Sequence, residues 1–313
     1  MRADVVIVSW KARDLTLRCL EHLATQCAAG GHQVIVVDNA SGDGTPAAIA
    51  ERFPGVRVIE MEDNVGFGRA CNAGAAAGTG DAVVLVNNDV FAQDGFVEAL
   101  LAPLGARAAV GSVAGMTLQP RDDGREVVDG FGIELDPTLT AYNRLRHRAP
   151  GDAAAGVLAG PSGGAAAYRR TAWEQVGGFD DRLFAYGEDV DLALRLRLAG
   201  WDAAAAPDAR GVHLGGASTG IDSPLQRRLA GFSRGFLLRR YGVLRSRAAP
   251  RALAFELLIT VYGLLRFRAT EPLRGRVAGW RAAGAGPRLA VPSGAIDRSI
   301  TASEQWRRAR HER

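Results

Sequence analysis

The first hundred residues alternate between two hydrophobic periods. DVVIVSW (4–10), QVIVVDN (33–39), VRVIEM (56–61) and AVVLV (82–86) are apolar, β-prone runs that read as strands. Between them, DLTLRCLEHLAT sets Leu15, Cys19, Leu20 and Leu23 at helical spacing. DGTPAAIAERF opens on Asp43 as a helix cap with Pro46 in the first turn, and GFGRACNAGAAAG reads as a small-residue helix ending near Gly78. GFVEALLAPL is a further helix. Strand–helix alternation of this kind predicts right-handed crossovers and a mostly parallel sheet covered on both faces. From Val110 to Pro150 the pattern predicts irregular strands and loops. A short strand is expected after Trp201 through Ala206, and basic helices from Pro224 onward.

Sheets of this type bind ligands at the carboxyl ends of their strands. Polar residues fall at those ends: Ser9-Trp10, Asp38-Asn39, Asn64 and Asn87-Asn88-Asp89. Asp89 closes an apolar run, where an unpaired buried charge is costly. Either the strand emerges into a solvated Asn/Asp turn, or the acid meets a cation. One carboxylate binds Mg²⁺ weakly, but it suffices when the ligand brings a diphosphate.

Composition narrows this picture without changing it. The 313 residues are 47% hydrophobic and 23% charged, ordinary for a globular protein. The net charge of +4 reflects a basic end, because arginines dominate from Gln226 onward. Cys19, Cys27 and Cys71 are too few and too scattered for a disulfide framework or a zinc site, which fits a reducing compartment. No signal peptide or membrane span is expected. The longest apolar run near the end, ALAFELLITVYGLLRF (252–267), is short and carries Glu256, so an interfacial helix is the membrane-related alternative.

Candidate chemistry concentrates in YGEDVDLALRLRLAG. Asp189 falls in the first turn of a helix, in line with its apolar face. It is either an acid favoured by the helix dipole or a general base whose pKa is raised by partial desolvation. Asp191 and Arg195 are spaced to pair. His213, among small residues in GVHLGGAST, is structural unless the chain brings it near Asp89, where imidazole is a competent ligand for Mn²⁺-like ions. Asp38 suits the N3–H of a pyrimidine or a ribose hydroxyl. Gly66 and Gly68 lack the third glycine of a dinucleotide fingerprint, so an oxidoreductase is disfavoured.

Taken in order, VIVSW (6–10), VVDNASGDGT (36–45), NVGFGRACNAG (64–74), LVNNDV (85–90), GGFDDRLFAYGEDVDLALR (177–195) and VHLGGAS (212–218) resemble the family 2 glycosyltransferases of the bacterial rhamnosyltransferase-like branch. The resemblance spans roughly residues 4 to 220. It implies an α/β fold of GT-A type, with a Rossmann-like, mostly parallel nucleotide-binding sheet and a C-terminal helical extension. It divides the chain into a catalytic domain over 1–222 (1–110 for the nucleotide-sugar, 111–222 for acceptor and catalysis) and a basic amphipathic extension over 223–313. Ser9, Trp10, Asp38, Arg69, Asn72 and Asn88 match positions that frame the nucleotide. Asp89 matches the last acid of the D-x-D metal motif, whose first acid is replaced by Asn87 here, and His213 a histidine that completes the metal site in some relatives. Asp189 matches the catalytic base and Glu188 its partner. Gly163, Gly164, Phe184 and Tyr186 lie where relatives shape the donor-sugar and acceptor pocket.

The implied reaction is inverting transfer from a dTDP- or UDP-sugar, dTDP-rhamnose first among them, with Mg²⁺ or Mn²⁺, to a glycan or polyprenyl-linked acceptor. The resemblance implies a cytoplasmic protein, with peripheral contact at the inner face of the cell membrane. For the first basic helix, packing on the catalytic domain is the expectation; for the second, membrane contact. Ser293 to Arg313 reads as a loosely held helix or frayed tail. Nucleic acid is not an expected partner, since the arginines are interleaved with core-type residues. The competing readings are a sugar-nucleotidyltransferase, which needs a Gly-rich basic loop where this chain has SWKARDL, and a non-catalytic nucleotide-binding module at a membrane.

Overall fold

A computed structural model describes residues 1–121, 123–152, 156–214 and 223–311. The amino-terminal half follows the predicted alternation: β1 (Ala3–Ser9), α1 (Arg13–Ala29), β2 (Gln33–Asp38), α2 (Thr45–Arg52), β3 (Arg57–Glu60), α3 (Phe67–Ala77), β4 (Ala82–Val86), β5 (Val90–Ala92) and α4 (Phe96–Ala106). Then come β6 (Val110–Pro120), β7 (Glu126–Gly130), β8 (Ile133–Leu135), β9 (Ala141–Asn143), β10 (Ala165–Arg169), α5 (Arg170–Val176), α6 (Glu188–Leu198) and β11 (Asp202–His213). The chain continues through α7 (Pro224–Arg240), α8 (Ala249–Phe267), α9 (Glu271–Ala283) and α10 (Ala302–His311).

The main sheet runs β3-β2-β1-β4-β10-β6-β11-β5, with β7 pairing antiparallel with the end of β6 beyond its contact with β10. The pairs β1–β2, β1–β4, β2–β3 and β6–β11 are parallel, and β10 is wedged antiparallel between β4 and β6. Both faces are covered. Leu17, Leu20, Leu23, Phe96 and Leu100 pack on one; Ala70, Cys71, Tyr168, Trp173 and Leu192 pack on the other. That is why the strands are continuously apolar rather than alternating.

Three sequence expectations about the sheet half change, and a fourth in the tail. The stretch beginning at Val110 is not irregular: β6 is a nearly fully buried strand of 11 residues. β11 extends to His213, past the expected end at Ala206, because a register shift between Ala206 and Arg210 absorbs Pro207. Asp43 lies one position before the true cap of α2, Gly44, and accepts the N–H groups of Thr45 and Arg13, each at 3.1 Å.

The tail packs on this body. Leu237, Leu238, Tyr241, Val243 and Ala252 share a core with Ile133, Leu135, Val190 and Leu194. Helices α7 and α9 cross in backbone contact at Gly231/Gly235 and Gly275/Gly279, where added Cβ atoms would overlap carbonyls of the opposite helix. The final segment is docked rather than frayed: Gln305 is buried, and Arg308 pairs with Glu134. Among the described residues, no helix is long and apolar enough to cross a membrane.

Candidate active site

The end of β4 explains the buried acid. After Val86 the chain turns through Asn87-Asn88-Asp89 into β5, which pairs antiparallel with β11 in the register His213↔Val90. His213 is thereby set beside Asp89, with Nε2 3.4 Å from its Oδ1, and the Leu214 N–H donates to the Asp89 carbonyl at 3.1 Å. On the other side of the ring, Nδ1 lies 2.7 Å from Oδ2 of Asp129, a β7 residue that the sequence patterns did not single out. Arg146 stands 3.6 Å from the second Asp129 oxygen. Burial, the largest influence on His213, opposes its charge. Asp129 and Asp89 together outweigh burial and hold its pKa at about 9. Burial likewise opposes ionisation of Asp129, yet His213 and Arg146 keep that carboxyl below its usual range.

These donors fit a hard divalent ion. The 3.4 Å between Asp89 and His213 is too long for a good hydrogen bond and near the edge, about 3.0 Å, of an octahedron with 2.1 Å bonds. Among the described residues, no group of three or more His, Cys, Asp or Glu side chains gathers as a metal site. A Mg²⁺-like ion held by only one or two protein groups takes its other ligands from water and substrate oxygens.

The second acid comes from α6. Gly187, with φ 73°, turns the chain so that Glu188 and Asp189 open the helix. Glu188 points inward: it is 7% exposed, and its Oε2 has no partner among the described residues. Burial, then the neighbouring Asp189 charge, pushes the Glu188 carboxyl up to about 8. Asp189 keeps part of its surface in solvent. Its carboxylate accepts the Val190 N–H at 2.8 Å and the Gly163 N–H. Burial raises its pKa, and these donors offset part of the rise. The buried Tyr168 hydroxyl, also unpartnered among the described residues, is pushed up by burial and then by the Asp189 charge.

Two glycines join the acids. The Gly164 carbonyl accepts the Asn87 N–H at 3.2 Å, while the next residue back, Gly163, donates to Asp189. The segment that carries Asp89 and the one that carries Asp189 are thus linked through two consecutive residues on one rim. A Cβ on Gly163 would sit 2.9 Å from Cε1 of Phe67, so a side chain there would displace the tip of the Phe67 ring.

Residues expected at the nucleotide divide into two groups. Asp38 is buried; Oδ2 accepts the Ser41 N–H at 3.1 Å, and Oδ1 has no partner among the described residues. Trp10 is half-buried, with the Lys11 ammonium 5.3 Å from its ring centre. Ser9, Asn88 and Asn72, by contrast, are spent inside the protein. Ser9 Oγ pairs with Thr16 Oγ1 at 2.8 Å, and Asn88 donates to the same hydroxyl at 3.1 Å. Asn72 donates to the Phe179 carbonyl and Asp181, and accepts the Phe179 N–H. These bonds brace the rim. Arg69 donates through Nε to the Asp181 carbonyl. Phe184 is exposed, and its carbonyl accepts the Phe67 N–H at 2.8 Å beside Gly66, which has no room for a Cβ. Tyr186 sits at φ 67°, an unusual conformation for a bulky residue. Within VHLGGAS, residues 215–218 lie outside the described residues.

A parallel nucleotide-binding half, an acid at the end of β4 and a second acid opening a helix across the rim make up the plan of a GT-A glycosyltransferase. The comparisons agree. A family described as "Glycosyl transferase family 2" matches residues 4–177, and "Glycosyl transferase family group 2" matches residues 140–277. The chain is 35% identical over 214 residues to an N-acetylglucosaminyl-diphospho-decaprenol L-rhamnosyltransferase of Mycobacterium tuberculosis (60% of this chain, 68% of the relative). Its fold resembles mannosyltransferase PcManGT from Pyrobaculum calidifontis, solved with GDP-Man and Mn²⁺ (TM-score 0.55, 22% identity, 92% of this chain and 76% of that one). It also resembles S. aureus TarS 1-349 in complex with UDP-GlcNAc (TM-score 0.53, 17% identity, 76% and 71%). The chain belongs to glycosyltransferase family 2, and it is a glycosyltransferase that uses a nucleotide-sugar donor.

Proposed function

We propose that the chain transfers rhamnose from dTDP-rhamnose to a hydroxyl of a polyprenyl-linked glycan, inverting the anomeric carbon. The observation that supports this reading is the Asn87 N–H bond to the Gly164 carbonyl, next to Gly163, whose N–H favours the Asp189 carboxylate, so that the Asp89 and Asp189 segments meet at one rim. The sugar and acceptor follow the 35% identical relative. A pyrimidine base is supported by Asp38, whose buried, unpartnered Oδ1 is an acceptor for the N3–H of thymine or uracil.

In this reading Asp189 takes the acceptor hydroxyl's proton as the new bond forms; partial desolvation makes its carboxylate a better base than one in water. The Gly163 and Val190 N–H groups hold that carboxylate in place. Asp89 and His213 would hold Mg²⁺ or Mn²⁺, which neutralises charge on the departing diphosphate when bound. Asp38 and Trp10 orient the base, and Arg69, Phe184 and Tyr186 line the approach. Holding both substrates across one cleft supplies the proximity part of the rate.

The test is a donor panel read by thermal shift with Mn²⁺, followed by transfer assays with Asp189→Asn. The expected result is the largest shift with dTDP-rhamnose and a loss of turnover of about 10²–10⁴-fold in the variant with donor affinity retained. Full turnover in Asp189→Asn removes Asp189 from the base role, and a larger shift with another sugar nucleotide reassigns the donor.

A further inference from the structure

Helix α8 is turned inside out. On an ordinary surface helix the apolar stripe faces the core and the charges face water. In α8 the acid faces in: Glu256 is held by Arg234 of α7 at 2.5 Å and by Arg276 of α9 at 2.6 Å. The leucines face out. Leu257, Val261, Leu264 and Leu265 follow the i, i+4, i+7, i+8 spacing of one helical stripe, and all are exposed; Leu257 reaches 67% and Leu265 79%. On α9, which touches α8, Leu273 and Val277 are exposed as well. A run of large apolar side chains left in water on adjoining helices is a binding surface rather than a random scatter.

Charge identifies the occupant. From Leu257 to Arg281 the chain carries five arginines and a single acid, Glu271. Arg268, Arg274 and Arg281 are exposed around the apolar stripes. A second copy of the chain is disfavoured because a two-fold contact opposes each patch to itself and brings the arginines together. A bilayer with anionic headgroups takes both features at once: leucines enter the acyl boundary, and guanidinium groups meet phosphates. We propose that the outward stripes of α8 and α9 dock on an anionic lipid surface. This holds whichever sugar and acceptor the site uses.

The test is flotation of the full chain with phosphatidylcholine vesicles, with and without phosphatidylglycerol. The expected result is co-flotation with the anionic vesicles, weakening as salt rises. In the double variant Leu257→Glu, Leu265→Glu the vesicle partition falls at least about tenfold. Its melting temperature and its thermal shift with sugar nucleotide stay as in the wild type, so loss of docking is read separately from loss of donor recognition. No flotation with anionic vesicles overturns the proposal. So does equal flotation with neutral ones, or a dimer seen by light scattering that the double variant abolishes.

Discussion

His213 meets a carboxylate at each ring nitrogen, and the two meetings are unequal. Asp129 at 2.7 Å accepts the hydrogen bond from Nδ1–H, so that once a bound cation displaces the other ring proton, the Nε2 lone pair is on the side of Asp89. A carboxylate behind a ligating imidazole fixes its tautomer and orientation, and losing it costs about 10–100-fold in metal affinity. Asp129→Asn is therefore expected to weaken Mn²⁺ binding by that factor in titration calorimetry, whereas Asp189→Asn leaves the affinity unchanged. Glu188 makes a prediction in pH. Its folded pKa of about 8 lies above the ordinary 4.5, so the folded chain keeps a proton that the unfolded chain releases. That contribution to stability is complete below 4.5 and lost as pH rises through 8. Melting curves at pH 5 and pH 9 should show a decline in the wild type that exceeds the decline in Glu188→Gln by at least about 2–4 °C. Asp89 was legible as an acid out of place at a strand end, and Asp189 as an acid on an apolar face. Asp129 was not, because nothing in EVVDG marks which acid a distant histidine will face.

At the scale of elements, the tail helices meet through their backbones. A Cβ on Gly279 would overlap the Phe232 carbonyl, and one on Gly235 the Arg276 carbonyl. Gly279→Ala must push α7 and α9 apart and should cost about 1–3 kcal/mol by chemical denaturation. Gly263→Ala, facing open space within α8, should be neutral or slightly stabilising. Asp191 ties α6 to α7: it meets Arg195 at 2.6 Å, Arg240 at 3.0 Å and the Tyr241 hydroxyl at 2.9 Å. Asp191→Ala leaves the largely buried Arg195 without its carboxylate and Arg240 with only Asp180, at 3.5 Å, with an expected loss of about 3–5 kcal/mol. The Asp191–Arg195 pair was readable from helical spacing, whereas the bond to Arg240 joins residues far apart in the chain. β6 was misread for a local reason. VGSVAGMTLQP carries two glycines and few β-branched residues, and the strand forms because β10, β11 and β7 surround it.

At the scale of the molecule, body and tail share one apolar cluster, and α10 closes over it through Arg251–Gln305 and Arg308–Glu134. Removing 223–313 uncovers Ile133, Leu135, Val190 and Leu194. The full chain should unfold in one transition in urea, and the 1–222 fragment should aggregate rather than fold as a separate domain. A separate, reversible transition for that fragment would instead support the sequence-based division at 222. The periodicity of the chain by itself determined the parallel nucleotide-binding half and the polar rim, because strand and helix periods are local and strand ends follow from them. Tertiary structure alone decided which rim residues remain free to act. Pairing of β5 with β11 sets His213 beside Asp89, and the segment leading into β10 brings Gly163 and Gly164 between the two acids, while Ser9, Asn72 and Asn88 make bonds within the rim. Hydrogen-bond partners distant in sequence leave no periodic trace, so only the folded chain reveals which polar groups are already satisfied.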